Sequence, residues 1–268
     1  MKCLVVSDLH YNLKKYDFVL SAAEHVDLVV LAGDFLEISL YIDRKAQAVV
    51  VQKYFRRIRE KAPLLICSGN HDLDQRNAAG ELCSKWVDRM RLYNIHTDGD
   101  SILIDDILFS MCLWGEGEAG RKLIEEQLDE ASAMRLDRWV WVHHAPPAGS
   151  PTSWNGKRSF GDQDLRRWIE TWQPDLVFCG HVHQAPFVDM GSWIDRIGKT
   201  VVFNAGHQLG ALPSYILLDT ETSQVYWRGQ AGTHSADINQ PITDALEISG
   251  DVPDWVISMG RLEARHLA

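Results

Sequence analysis

The stretch PDLVFCGHVHQAP, residues 174–186, contains an apolar run that stops at a glycine and is followed by two histidines. Leu176 to Cys179 has the length and character of a buried strand, and Gly180 lets the backbone turn where that strand ends. His181 and His183 share one face of an extended segment, whereas on a helix they would diverge. Imidazole is a common ligand of divalent cations, so the pair predicts a metal site. The alternative is two loop histidines that bond to backbone groups.

Four other apolar runs of the chain are equally short. They are Cys3 to Val6, Leu28 to Ala32, Leu64 to Cys67 and Trp139 to Val142. Continuous runs of four or five residues are typical of strands covered on both faces. Helical patterns lie between several of them, at residues 13–23, 42–61 and 162–172. Alternation of strand and helix predicts an α/β layered fold.

Each of the five runs is followed by residue types that bind metals. The motifs are Asp8-x-His10, Gly33-Asp34, Gly69-Asn70-His71-Asp72, His143-His144-Ala145-Pro146 and Gly180-His181-x-His183. Open α/β sheets gather their sites at the carboxyl ends of the strands, so we expect these side chains to lie together. Mixed His, Asp and Asn ligands suit manganese, iron or zinc better than calcium or magnesium.

In this order the five motifs resemble those of the calcineurin-like metallophosphoesterase family. The resemblance spans Asp8 to His183 and implies a four-layer α/β/β/α sandwich with two central mixed β-sheets. It also implies two divalent metal ions, for which we expect Mn²⁺, with iron or zinc as alternatives. Asn204-Ala205-Gly206 looks like an Icc-related bacterial and archaeal branch, whose members usually carry Asn-Pro-Gly there.

The resemblance assigns a metal ligand to each motif. The first metal would take Asp8, His10 and His183, the second would take Asn70, His144 and His181, and Asp34 would bridge the two. A carboxylate has two oxygens, which can span ions about 4 Å apart. In the family's H-x-P motif the ligand lies two residues before the proline, which is His144. The neighbouring His143 would face the other way on a strand.

His71 resembles the family's catalytic histidine, which does not bind metal. Near neutral pH it could donate a proton to the leaving alkoxide. Asp72 is expected either to orient His71 or to cap the next segment. The resemblance implies in-line attack on phosphorus by a hydroxide shared between the metals. The predicted activity is that of a dinuclear metal-dependent phosphohydrolase, with a phosphodiesterase as the favoured form.

The composition of the chain bears on the alternative functions. The 268-residue chain is 46% hydrophobic and 24% charged, with a net charge of −10. This charge, without a Lys/Arg cluster, disfavours a metal-dependent nuclease without excluding it, because nucleic-acid binding relies on basic residues. A small phosphorylated substrate is expected instead. A catalytically silent binding or scaffold protein that retains the fold would be marked by a lost ligand, and no ligand is missing.

Compartment and domain limits follow from weaker signals. The chain has no apolar stretch of membrane-spanning length, and five cysteines without paired spacing suit a reducing cytoplasm. We expect a metallophosphoesterase domain over residues 1–230. A C-terminal extension over residues 231–268, with a helix at 254–266, has no predicted role. His207, just after Gly206, could approach the site from a loop.

Overall fold

The computed structural model describes residues 1–242, 246–247 and 252–267. In chain order its strands are β1 Lys2–Val6, β2 Leu28–Ala32, β3 Leu64–Cys67, β4 Gln75–Arg76, β5 Leu82–Cys83, β6 Ser101–Ile104, β7 Ile107–Met111, β8 Arg138–Val142, β9 Leu176–Cys179, β10 Ile194–Ile197, β11 Thr200–Asn204, β12 Tyr215–Asp219, β13 Gln224–Gly229, β14 Gly232–Asp237 and β15 Leu246–Glu247. Its α-helices are α1 Leu13–Ala22, α2 Arg44–Arg59, α3 Lys85–Asp88, α4 Glu118–Ser132, α5 Gln163–Trp172 and α6 Asp254–Leu267.

Two large mixed sheets form the centre of the fold. The first has the order β15-β14-β13-β12-β1-β2-β3, in which β1, β2 and β3 are parallel. The second has the order β10-β11-β9-β8-β7-β6, in which β7, β8, β9 and β11 are parallel. Because neighbouring parallel strands end on the same side, the loops after β1, β2 and β3 lie together, as do those after β8 and β9.

Three hydrophobic cores separate four layers. Leu4 and Val6 of β1 pack with α1, α2 and α6 on the outer face of the first sheet. Cys3 and Val5 of the same strand point the opposite way and pack between the two sheets. On the outer face of the second sheet, Trp139 packs with residues of α4 and α5. The predicted α/β/β/α sandwich is confirmed, and burial on both faces explains why the strands are continuously apolar.

Side-chain capping explains where two of the three predicted helices begin. The Asp43 carboxylate accepts hydrogen bonds from the backbone N–H groups of Lys45 and Ala46 at the start of α2. Asp162 does the same for the first turn of α5. Such side-chain acceptors satisfy N–H groups that the helix itself leaves without partners. Both helices fall within the predicted ranges.

The C-terminal part of the chain is joined to the main body. β14 pairs antiparallel with β13, and α6 buries Val256 and Met259 in the core that it shares with α1. Arg228 of β13 also pairs with Glu263 of α6 at 2.6 Å. Residues 243–245, 248–251 and 268 of the expected extension lie outside the described residues. Every helix in the described part of the chain is too short or too polar to cross a lipid bilayer.

Candidate metal centre

The five motifs occupy the loops that follow β1, β2, β3, β8 and β9. One group of donor atoms combines residues from the first and last of these loops. His10 Nε2 lies 3.0 Å from His183 Nε2, and Asp8 Oδ1 lies 3.2 Å from His183 Nε2. Asp34 Oδ2 lies 3.8 Å from His10 Nε2. Asp8, His10 and His183 thus place three donor atoms within 3.7 Å of one another, and Asp34 Oδ2 lies on the His10 side of this group.

A second group of donors combines the two sheets. His144 Nε2 lies 3.2 Å from Asp34 Oδ2, and His181 Nδ1 lies 3.0 Å from Asn70 Oδ1. The ring centroids of His144 and His181 are 5.2 Å apart. Asp34, His144 and His181 offer ligand atoms within 4.8 Å of one another, and Asn70 adds an amide oxygen beside them.

Asp34 belongs to both groups, but through one oxygen. Its Oδ2 faces His10 and His144, whereas its Oδ1 accepts a hydrogen bond of 2.9 Å from the backbone N–H of His71. This differs from the expectation that each carboxylate oxygen would serve one ion. Oδ1 thus faces the backbone of the Asn70 loop, and Oδ2 is the oxygen that faces both groups of donors.

The protonation pattern of His144 fits a bound cation. Its Nδ1 lies 2.7 Å from the Ala32 carbonyl oxygen and therefore donates a hydrogen there. The buried Nε2 lies 3.2 Å from Asp34 Oδ2. Burial lowers the pKa of His144, but Asp34 and Asp8 outweigh it and raise the pKa to about 9. Asp34 and Asp8 thus favour a positive charge at Nε2, which a proton carries in the metal-free protein and which a divalent metal ion would supply in its place.

Two glycines allow the carboxylates to approach. A Cβ atom at Gly180 would lie 2.4 Å from Asp8 Oδ2, and one at Gly69 would lie 2.2 Å from Asp34 Oδ1. Both distances are shorter than any normal contact. Gly180 therefore makes room for the Asp8 carboxylate from the loop after β1, in addition to allowing the turn that the sequence predicted there.

His71 borders the donor groups and reaches solvent. Its Nε2 lies 3.9 Å from Asp34 Oδ2, and its ring centroid lies 4.7 Å from that of His10. Burial is the main cause that lowers its pKa. His71, His10 and Asp34 also form a third group of possible ligands, so distance alone does not separate a metal-binding from a proton-donating role.

Asp72 and His143 point away from the donor groups. The Asp72 carboxylate is fully buried and accepts from the backbone N–H groups of Phe35, Leu36 and Gly69. These bonds tie the loops after β2 and β3 together, and they run to residues that precede Asp72 rather than to the segment that follows it. His143 bonds the Ala145 carbonyl oxygen and lies against Trp168 in the outer core, as strand alternation predicts.

Three neighbours of the site were not predicted as part of it. Glu37 Oε2 lies 3.3 Å from His10 Nδ1, and its Oε1 lies 3.8 Å from His71 Nδ1. The Trp114 ring lies 5.6 Å from His144 and 5.3 Å from His181. Lys15 reaches His207 beside His183. Glu37 is close in sequence to Asp34, which is a usable signal, but nothing in the sequence around Trp114 or Lys15 marks them.

Comparison with known proteins identifies a family. Residues 1–185 match the family model described as calcineurin-like phosphoesterase. The chain is 23% identical over 192 residues to a nucleotide pyrophosphatase/phosphodiesterase of Hordeum vulgare, which covers 64% of this chain and 51% of that protein. A probable inactive purple acid phosphatase 24 of Arabidopsis thaliana is also 23% identical over 192 residues, covering 64% of this chain and 31% of that protein. The chain thus spans about half or less of these relatives.

A solved structure supports the fold. The purple acid phosphatase PPD1 of Lupinus luteus superposes with a TM-score of 0.56 at 13% identity, covering 92% of this chain and 52% of that chain. At this identity the similarity concerns the fold alone.

Proposed function

The chain belongs to the calcineurin-like phosphoesterase family, and we propose that it is a dinuclear metal-dependent phosphohydrolase. The family implies metal-dependent hydrolysis of phosphoric esters. The observation that carries the two-metal proposal is the position of Asp34 Oδ2, 3.2 Å from His144 Nε2 and 3.8 Å from His10 Nε2. One oxygen therefore faces two separate groups of donors, which supports a bridging role for Asp34.

Seven side chains would hold the ions. Asp8, His10 and His183 form the first site, Asn70, His144 and His181 form the second, and Asp34 is shared. Mn²⁺ is the proposed metal because the donors mix imidazole nitrogen with carboxylate and amide oxygen; iron and zinc suit the same set. When bound, such ions supply positive charge to the phosphoryl oxygens and activate water.

The protein's own residues would orient the ester and move the proton. His71 lies at the solvent side of Asp34, where its imidazole can reach the leaving oxygen and donate a proton to it. Glu37 lies beside the Nδ1 atoms of both His10 and His71. A carboxylate in that place favours a hydrogen on Nδ1 of each ring, which leaves Nε2 of His10 free to bind a metal ion. His71 must also carry a hydrogen on Nε2 in order to donate it, and the Glu37 charge favours this doubly protonated form.

We propose a small phosphodiester as substrate and the cytoplasm as compartment. The name of the Hordeum vulgare relative includes phosphodiesterase activity, which supports the first part. The cysteines of the chain are all free, and four of the five are buried, which supports the second. The opposing candidate is a silent binding protein, because the Arabidopsis thaliana relative is described as probably inactive. The complete set of expected ligands argues for activity.

Metal analysis combined with two chromogenic esters tests the proposal. We expect about two Mn²⁺ per chain and turnover of bis-p-nitrophenyl phosphate in preference to p-nitrophenyl phosphate. Asp34→Asn is the matched variant. If its amide oxygen accepts from the His71 N–H, its NH₂ group must face both metal sites. In the reverse orientation the NH₂ group would face the His71 N–H, so that two hydrogen-bond donors would oppose each other. The variant should therefore lose both metal and activity. A wild-type protein without metal or turnover would support the silent binding protein.

A further inference from the structure

His207 lies next to the first donor group, in the loop after β11 and beyond the residues that match the family model. Its ring centroid is 4.6 Å from that of His183 and 5.1 Å from that of His10. His207, His10 and His183 also place ligand atoms within 4.8 Å of one another. Either a metal ligand or a residue that supports the ligands could occupy this position.

The hydrogen bonds of His207 distinguish these roles. Nδ1 lies 2.6 Å from the Asp8 carbonyl oxygen, which can only accept, so Nδ1 carries the hydrogen. Lys15 Nζ lies 3.2 Å from Nδ1 and 3.5 Å from Nε2, and it can donate only to the unprotonated Nε2. Lys15 also donates to the Gln208 carbonyl oxygen at 2.7 Å, and it is only 1% exposed. Nδ1 of His207 is thus held by the Asp8 carbonyl group, and the Lys15 ammonium lies beside Nε2.

The loop that His207 contacts needs external support. Asp8, His10 and Tyr11 have φ values of 55°, 45° and 52°, in the left-handed region that is unfavourable for residues with side chains. The backbone N–H groups of Asp8 and His10 donate to the carbonyl oxygens of Gly33 and Asp34. His207 holds the same loop from the other side, through the carbonyl group of Asp8.

We propose that His207 and Lys15 form a positioning pair that holds the Asp8–His10 loop in its metal-binding conformation without ligating the metal. The pair links α1 and the loop after β11 to the residues of the first metal site. The inference rests on the metal centre of the proposed function. It adds two residues from outside the five motifs to those that metal binding requires.

Calorimetric titration of the metal-free full-length protein with Mn²⁺ tests this role. His207→Ala should weaken one of two binding events roughly 10–100-fold, as is usual for groups that orient metal ligands, and leave the other unchanged. His207→Asn should retain near wild-type affinity, because its amide N–H can take the place of Nδ1–H. Lys15→Met should weaken the same event. His25→Ala, an exposed histidine that follows α1, is the control and should match the wild type.

The outcomes separate the inference from the function on which it rests. Equal losses in His207→Asn and His207→Ala would overturn the positioning role, because a direct ligand or a packing defect would behave in that way. Wild-type affinity in both His207→Ala and Lys15→Met would overturn it as well. Two binding events in the wild type, with unchanged variants, leave the metal centre intact and refute only the pair. A wild type that binds no Mn²⁺ refutes both. Far-UV circular dichroism checks that each variant is folded. If His207→Ala does not fold, the comparison of Lys15→Met with His207→Asn still tests the proposal.

Discussion

Replacing Gly69 by alanine should abolish metal binding through a clash with Asp34. The added Cβ atom would lie 2.2 Å from Asp34 Oδ1 and 2.5 Å from the Asp34 backbone nitrogen. Comfortable contacts need about 3.5 Å, so Asp34 must move by roughly 1 Å. Metal–ligand distances tolerate deviations of only about 0.2 Å. The displaced Asp34 Oδ2 would therefore be lost from both donor groups, and we expect Mn²⁺ affinity to fall by at least about 100-fold.

The fold itself should survive this substitution. An extra methyl group in a tightly packed region costs about 1–3 kcal/mol, which is less than the 5–15 kcal/mol total of a typical domain. The assay is thermal unfolding with and without Mn²⁺, together with elemental analysis. Mn²⁺ should raise the Tm of the wild type, because a ligand of the native state stabilises it, and should leave the Tm of Gly69→Ala unchanged.

A second glycine provides the control. At Gly260 of α6 a Cβ atom would lie 3.2 Å from Arg228 Nη1, so the guanidinium that pairs with Glu263 would have to shift by only a few tenths of an ångström. Gly260→Ala should keep metal binding and stabilise the helix by up to about 1 kcal/mol. Wild-type Mn²⁺ uptake by Gly69→Ala would refute the reasoning, since it would mean that Asp34 does not depend on the close approach.

Two other changes test the site and its surroundings. His71→Ala should keep its bound metal, because the backbone N–H at this position still donates to Asp34 Oδ1. Its kcat should fall by roughly 10²–10⁴. If elemental analysis shows that the variant has lost a metal ion, His71 is a ligand. Burial raises the pKa of Asp98 to about 7, whereas an unfolded Asp titrates near 4, so the folded state keeps the proton longer and stability should fall as the pH rises from about 4 to 7. In Asp98→Asn the amide oxygen can still accept from the Ser68 N–H. This variant should therefore show no such decline and should be more stable than the wild type near pH 8 by up to about 4 kcal/mol. If the free energy of unfolding, measured by urea denaturation, changes with pH in the same way in both proteins, the assignment is wrong.

Part of this protein could be predicted from local patterns. Short apolar runs separated by helical segments predicted a layered α/β fold, because burial on both faces of a strand leaves its mark on consecutive residues. The same runs placed Asp8, Asn70 and His181 at strand ends. Alternation in the extended segment just after β8 also separated His144, which faces Asp34, from His143, which faces the outer core. The two-sheet arrangement came from family resemblance, since periodicity does not tell which strands pair.

Only the tertiary structure decided how the site is completed. Lys15 and His207 are separated by 192 positions and meet because α1 and the loop after β11 converge beside β1. That one oxygen of Asp34 serves both donor groups depends on a backbone N–H from the next loop. Sequence periodicity reports which face of an element is buried, whereas contacts between distant elements depend on strand register and on how the sheets pack. The sequence therefore determined which residues reach the edge of the sheets, and packing determined which atoms face one another there.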